Sequence, residues 1–173
     1  MIRTFEGKTP QIADSAFVSE AAYVVGDVVI GERSSVWPGA VIRADFGPIR
    51  IGANTHVEDN VTVHYGDDGM EIGDHNIIGH NVVVHCKKVG SNCLLGNNSI
   101  LLDGAVIGDH CVIAAGAVVP PRTVVPDWSL VMGVPGVVTP LPDAMRARVA
   151  EPSYGYADMA ARHKAAGFGD THP

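Results

Sequence analysis

An all-β solenoid is the fold class this sequence predicts, and three observations predict it. Positions 12, 18, 24, 30, 36 and 42 read Ile12, Val18, Val24, Ile30, Val36 and Ile42, although Val, Ile and Leu together make up only about a quarter of the chain. Glycine numbers 20 while aromatics are 6%, so the core has to be assembled from branched aliphatics stacked close together. The spacing is neither the three-and-four pattern of a helix nor the alternation of a flat-sheet strand. A six-residue period with one obligatory aliphatic describes coils of short strands and corners whose inward residues stack into continuous apolar columns.

Taken in order, the period breaks at ADFGPIR and resumes as Ile51, Val57 and Val63. It breaks again at HYGDDGME and resumes as Ile72, Ile78 and Val84, then slips by one residue and runs Val89, Leu95, Leu101, Ile107, Ile113 and Val119. Residues 126–142, with Gly133, Pro135, Gly136 and Pro140, read as a turn-rich linker. DAMRARVA predicts a short helical turn ahead of Pro152, and SYGYADMAARHKAAG a helix with Ser153 as N-cap and Gly167 as its stop. The expected organisation is a solenoid domain over 1–141 and a helical segment over 142–173, packed on the solenoid or on a neighbour, because solenoid ends need capping.

With 46% hydrophobic residues the chain carries enough apolar material for a core. A net charge of −7, from 19 acidic and 12 basic residues, lacks the electrostatic footprint for nucleic acid. No basic amphipathic stretch suggests a membrane surface, and no run of about 18 apolar residues is present, so the expectation is a cytoplasmic protein. Cys86, Cys93 and Cys111 lack CxxC spacing and read as buried small hydrophobes.

Chemistry concentrates in residues 63–85, VHYGDDGMEIGDHNIIGHNVVVH, which hold His64, His80 and His85. Ile42, Val63 and Val84 are inward residues 21 apart, one 18-residue coil plus an insertion, so they share a face and the residues after them, Arg43, His64 and His85, form one column. Rungs about 4.8 Å apart bring the two histidines close enough to share a metal ion with imidazole nitrogens about 2.1 Å from it. His80 falls near the preceding corner, five residues or roughly 15 Å from His85 along an extended chain, so it would arrive from a neighbouring subunit in a cyclic trimer. Zinc held by three histidines keeps a position for water, whose pKa falls to about 7, which is hydrolytic or hydration chemistry. Arg43 offers a planar donor to an oxyanion, Glu58 an acceptor for a proton or a hold on the water, and Asp45 and Asp59 partners for Arg43 across the subunit boundary.

The repeat resembles the hexapeptide-repeat proteins, which implies a left-handed parallel β-helix with 18 residues per coil. A second resemblance, to the γ-class carbonic anhydrases, is carried by R-A-D at 43–45, V-E-D at 57–59, His64 and G-H-x4-H at 79–85, across roughly residues 10–166. It implies a homotrimer that hydrates carbon dioxide to bicarbonate, with zinc, or iron under some conditions, at subunit interfaces. It also implies that residues matching His64 and His85 come from one subunit and that matching His80 from the next. Arg43, Asp45 and Asp59 match interface and bicarbonate-site residues, and Tyr156 an active-site tyrosine on the C-terminal helix. The chain departs from the pattern with Glu58 for the usual Gln, His56 for an Asn, Phe46 for a second glutamate of some members, and a short loop offering Asp67, Asp68 or Glu71. GVPG at 133–136 is similar to a segment near the end of hexapeptide acyltransferases, which use acyl-CoA and one histidine base. A catalytically silent metal-binding trimer is the remaining alternative.

Overall fold

The computed structural model of the protein describes residues 1–150 and 154–169. Its repeats form a left-handed parallel β-helix of short strands, and register explains the period. On one face Val18, Val36, Val57, Ile78, Leu95, Ile113 and Val131 pair in succession. Ile42, Val63, Val84, Leu101 and Val119 do so on the second, and Ile30, Ile51, Ile72, Val89, Ile107 and Val125 on the third. These inward residues are buried, so the core is a prism of three aliphatic columns. Each Val, Ile or Leu removed from water there contributes about 1.5–3 kcal/mol before entropy is counted.

Corners need a left-handed residue in each coil, and asparagine often fills the place. Asn54, Asn60, Asn81, Asn92 and Asn98 all adopt φ between 50° and 60°, a conformation that short polar side chains tolerate best after glycine. Inside one corner a second column is polar rather than aliphatic. Ser34 Oγ and Thr55 Oγ1 each donate to the carbonyl of a glycine on the next coil, Gly52 and Gly73, at 2.7 Å, and Asn76 Nδ2 donates to Gly90 at 2.9 Å. Cys93 and Cys111 continue it, donating through sulfur to Gly108 at 3.2 Å and Pro126 at 3.1 Å. The three cysteines are free and buried, and burial pushes the Cys86 thiol up to about 12.

Three stretches differ from expectation. The break in the period at ADFGPIR is the middle of one continuous strand, Val41–Ile51, which turns a corner and pairs with Tyr23–Ile30. There Gly26, at φ 86°, lies so close to Ala44 that a Cβ would sit 2.1 Å from its carbonyl oxygen. The expected linker at 126–142 contains an antiparallel pair, Ser129–Met132 with Val137–Pro140, because Gly133, Pro135 and Gly136 make only the turn between two β-forming runs. DAMRARVA forms a full helix, α1 (Asp143–Ala150), with Val149 buried. It is fastened by His110, whose ring stacks on Trp128 with centroids 4.1 Å apart and whose Nδ1 is 2.7 Å from the Val149 carbonyl oxygen, while Arg146 covers the Trp128 ring at 5.1 Å.

A second helix, α2 (Tyr154–Ala165), lies against the first coils, with His163 packed edge-on to Trp37 at 5.0 Å. It stops at Gly167, φ 85°, where the amides of Gly167 and Phe168 reach back to the carbonyls of Lys164 and His163, both at 3.1 Å. Ser153, the expected N-cap, lies outside the described residues. Among the described residues no helix is long and apolar enough to cross a membrane.

Candidate metal centre

Backbone register puts Arg43 beside His64 and Val63 beside Val84, so Arg43, His64 and His85 stand on successive rungs of one face. The His64 and His85 rings are 5.5 Å apart between centroids, inclined at 41°. Arg43 Nη1 donates to Asp45 Oδ2 of its own chain, and His64 Nε2 lies 3.1 Å from the other Asp45 oxygen. Within the chain Asp45 pairs with Arg43, because the continuous strand carries both side chains, two residues apart, on one side. Burial alone would raise the Asp45 carboxyl, but the hydrogen bond and charge of Arg43 outweigh it and hold the group below the usual carboxylate range. Burial, reinforced by the Arg43 charge, lowers His64, which keeps its ring in the neutral form that can ligate a metal.

His85 Nδ1 is 3.3 Å from Asp103 Oδ1. Asp103 escaped the sequence reading, although it follows His85 by one 18-residue coil, which was the available signal. Phe46 stands edge-on to His64 at 5.7 Å and Tyr65 to His85 at 5.8 Å. With Asp67, Asp68 and Asp103 they line a cleft of about 440 Å³ open to the surface.

The other predicted residues gather at a different corner. His80 Nε2 is 2.9 Å from Glu58 Oε2 and its Nδ1 3.2 Å from Asp59 Oδ2, so within the chain Asp59 pairs with His80. Tyr156, on α2, hydrogen-bonds to Glu58 and stacks on His56, centroids 5.3 Å apart. Burial, together with the Glu58 bond and charge, pushes the phenol up to about 12. Behind this stack His56 Nδ1 meets Ser35 Oγ at 2.8 Å, and Trp37 Nε1 donates to the same hydroxyl at 2.8 Å. Ser35 and Trp37 were missed by the sequence reading, and only the 21-residue spacing of Ser35 and His56 hints at their contact.

Among the described residues of one chain no three metal-type side chains converge. The donors are divided: His64 and His85 on a face, His80 at a corner. Their chemistry nonetheless suits a divalent ion. His64 is held neutral, and His80 and His85 each have a carboxylate at Nδ1, the arrangement that orients a ligating imidazole and leaves Nε2 for the metal.

A family profile described as dynactin subunit 5 matches residues 11–157. The protein of Methanocaldococcus jannaschii named “Probable carbonic anhydrase” is 52% identical over 128 residues, 73% of this chain and 80% of that one. The chain belongs to this family, as a γ-class carbonic anhydrase-like member of the hexapeptide-repeat superfamily. A carbonic anhydrase of Geobacillus kaustophilus is 42% identical over 100 residues, which span 57% of this chain and 55% of that one, so the match covers only about half of that relative's length. Among solved structures a candidate acetyltransferase of Bacillus cereus superposes with a TM-score of 0.91 at 34% identity, covering 96% of this chain and 98% of that one. Carbonic anhydrase relatives imply a metal cofactor, and the fold is shared with transferases.

Proposed function

We propose that the protein is a cytoplasmic γ-class carbonic anhydrase that interconverts carbon dioxide and bicarbonate, as a homotrimer with one zinc or ferrous ion at each subunit boundary. One observation carries this reading. A single chain presents two incomplete half-sites, His64 and His85 with the Arg43–Asp45 pair on a face, and His80 with Glu58, Asp59 and Tyr156 at a corner, and each supplies what the other lacks. A divalent ion held by His64 and His85 of one subunit and His80 of the next supplies Lewis-acid activation of water near neutral pH.

The remaining work falls to side chains. Arg43, oriented by Asp45, offers its guanidinium to the negatively charged product. Asp59 accepts from His80 Nδ1 and would fix the tautomer that presents Nε2, which lies beside Glu58, to the ion. Glu58 is the buried carboxylate placed to accept the proton released when water adds to carbon dioxide, and the Tyr156 hydroxyl, donating to it, holds its rotamer.

Stopped-flow hydration of carbon dioxide by zinc-loaded protein tests the reading, with His85→Ala alongside. A rate abolished by that substitution supports it. Full zinc occupancy with no rate above background overturns the enzymatic part and leaves a metal-stapled trimer. An acyl-CoA-dependent acyltransferase is the second reading, favoured by the nearly full-length likeness to the Bacillus cereus structure. It requires one histidine base and no metal, so it predicts acyl transfer that survives chelation.

A further inference from the structure

Ser35 is fully buried, and its hydroxyl meets two ring nitrogens, Trp37 Nε1 and His56 Nδ1, each at 2.8 Å. An indole N–H can only donate, and a hydroxyl has one hydrogen to give. Among the described residues the Ser35 hydroxyl has no third partner, so its hydrogen goes to His56 Nδ1 and His56 carries its own on Nε2. Burial, with the charges of His75 and Arg33, keeps that ring neutral down to about 4. The second torsion of a histidine side chain is soft, so the bond from Ser35 is what sets the plane of the ring.

Tyr156 lies on that plane. Its ring is within 23° of parallel to His56 with centroids 5.3 Å apart, an offset stack, and its hydroxyl bonds Glu58. Trp37 reaches Tyr156 by a second route. Its ring packs edge-on to His163 at 5.0 Å, and His163 follows Tyr156 by two turns on the same face of α2. One indole therefore seats both partners of the stack, His56 through the Ser35 hydroxyl and Tyr156 through the helix. We propose that Ser35 is a positioning residue: the Trp37–Ser35–His56 relay sets the imidazole plane against which Tyr156 stacks, and so aims the Tyr156 hydroxyl at Glu58. The relay carries orientation and no proton, because Nδ1 is already occupied by the Ser35 hydrogen and the Tyr156 hydrogen is turned to the carboxylate. Its consequence for turnover rests on the hydration reading above, in which Glu58 accepts the proton.

Heteronuclear NMR of the imidazole nitrogens in the zinc-loaded wild type, with His56→Asn to assign the signal, tests the first step. An Nε2–H tautomer at neutral pH with Nδ1 as acceptor is expected, and an Nδ1–H tautomer overturns the proposal. Ser35→Ala tests the rest. Zinc content should stay at the wild-type level while kcat for carbon dioxide hydration falls roughly tenfold with KM unchanged, and Ser35→Thr, which keeps the hydroxyl, should recover most of it. The Tyr156 phenol, followed by carbon NMR at Cζ and assigned with Tyr156→Phe, reports the aim directly. Burial, then the Glu58 bond and charge, push it up to about 12; Ser35→Ala loses the second contribution, so the phenol should titrate lower. A phenol unmoved in Ser35→Ala overturns the proposal, whatever the rate does. A zinc-loaded wild type without hydration activity overturns the hydration reading instead, and the tautomer and the phenol still decide whether Ser35 aims Tyr156.

Discussion

His64 and His85 face each other with ring centroids 5.5 Å apart on paired strands, while His80 stands with Glu58 at a corner of the same chain. The division makes complementation between defective subunits possible. His80→Ala and His85→Ala each remove one half-site, and neither variant alone should retain metal or hydrate carbon dioxide. Co-refolded as an equal mixture, they re-form an intact face beside an intact corner in about a quarter of random pairings, if each site joins two neighbours in a ring. Metal content and hydration rate should recover to roughly that fraction of wild type. No recovery in mixed trimers would place all three histidines in one subunit.

Tyr156→Phe deletes one hydroxyl and keeps the ring stacked on His56. A hydrogen bond to a charged acceptor is worth about 1.5–3 kcal/mol, discounted here because the phenol is only partly buried. The expected outcome is a loss of about 1 kcal/mol in denaturant unfolding, with a several-fold change in hydration rate, since Glu58 loses the group that fixes its rotamer.

His56 makes folding sensitive to acid. Burial, with the charges of His75 and Arg33, lowers it from 6.5 to about 4 in the fold. Above pH 6.5 the ring is neutral in both states and its contribution is fully present. As pH falls from 6.5 towards 4, the unfolded chain takes up a proton that the folded chain refuses, so stability drops by roughly 3 kcal/mol across the window. Urea unfolding at pH 7, 5.5 and 4.5 should show this loss, and His56→Asn should flatten it in proportion.

Gly26→Ala should damage the fold beside the Arg43–Asp45 pair, because Gly26 packs on the Ala44 that lies between them. The added methyl would meet the Ala44 carbonyl oxygen at 2.1 Å in a backbone held at φ 86°. Both strain and overlap act together, so a cost above about 2 kcal/mol is expected. Thermal unfolding checks it, with Gly66→Ala as the control, because nothing lies within 4 Å of a Cβ there.

The columns were legible because an inward aliphatic has no polar substitute, and one residue in six is enough to reveal it. The Arg43–His64–His85 rungs followed, since register turns a 21-residue spacing into adjacency. The tie from Tyr156 to Glu58 was not legible, because it depends on how α2 docks, and the packing of Trp37 against His163 that seats it has no periodic signature. The hairpin at 129–140 was hidden by Gly133, Pro135 and Gly136, whose turn chemistry is the same whether strands or loops flank it. The full length of α1 was obscured for a similar reason: its docking comes from His110 and Trp128, which belong to the solenoid.

A stack of parallel coils has no intrinsic length. Each coil offers the next the same row of amides and carbonyls, so two solenoids meeting end to end could continue each other as a fibre. Val137–Pro140 runs opposite to every coil it follows, pairing Leu130 with Thr139 and Val131 with Val138. On that face the last row is thereby consumed by a strand of the wrong polarity, and a second chain finds no parallel template there, whereas the other two faces end on Val118–Val119 and Val124–Val125. The reversal works as a terminator of one face of the three.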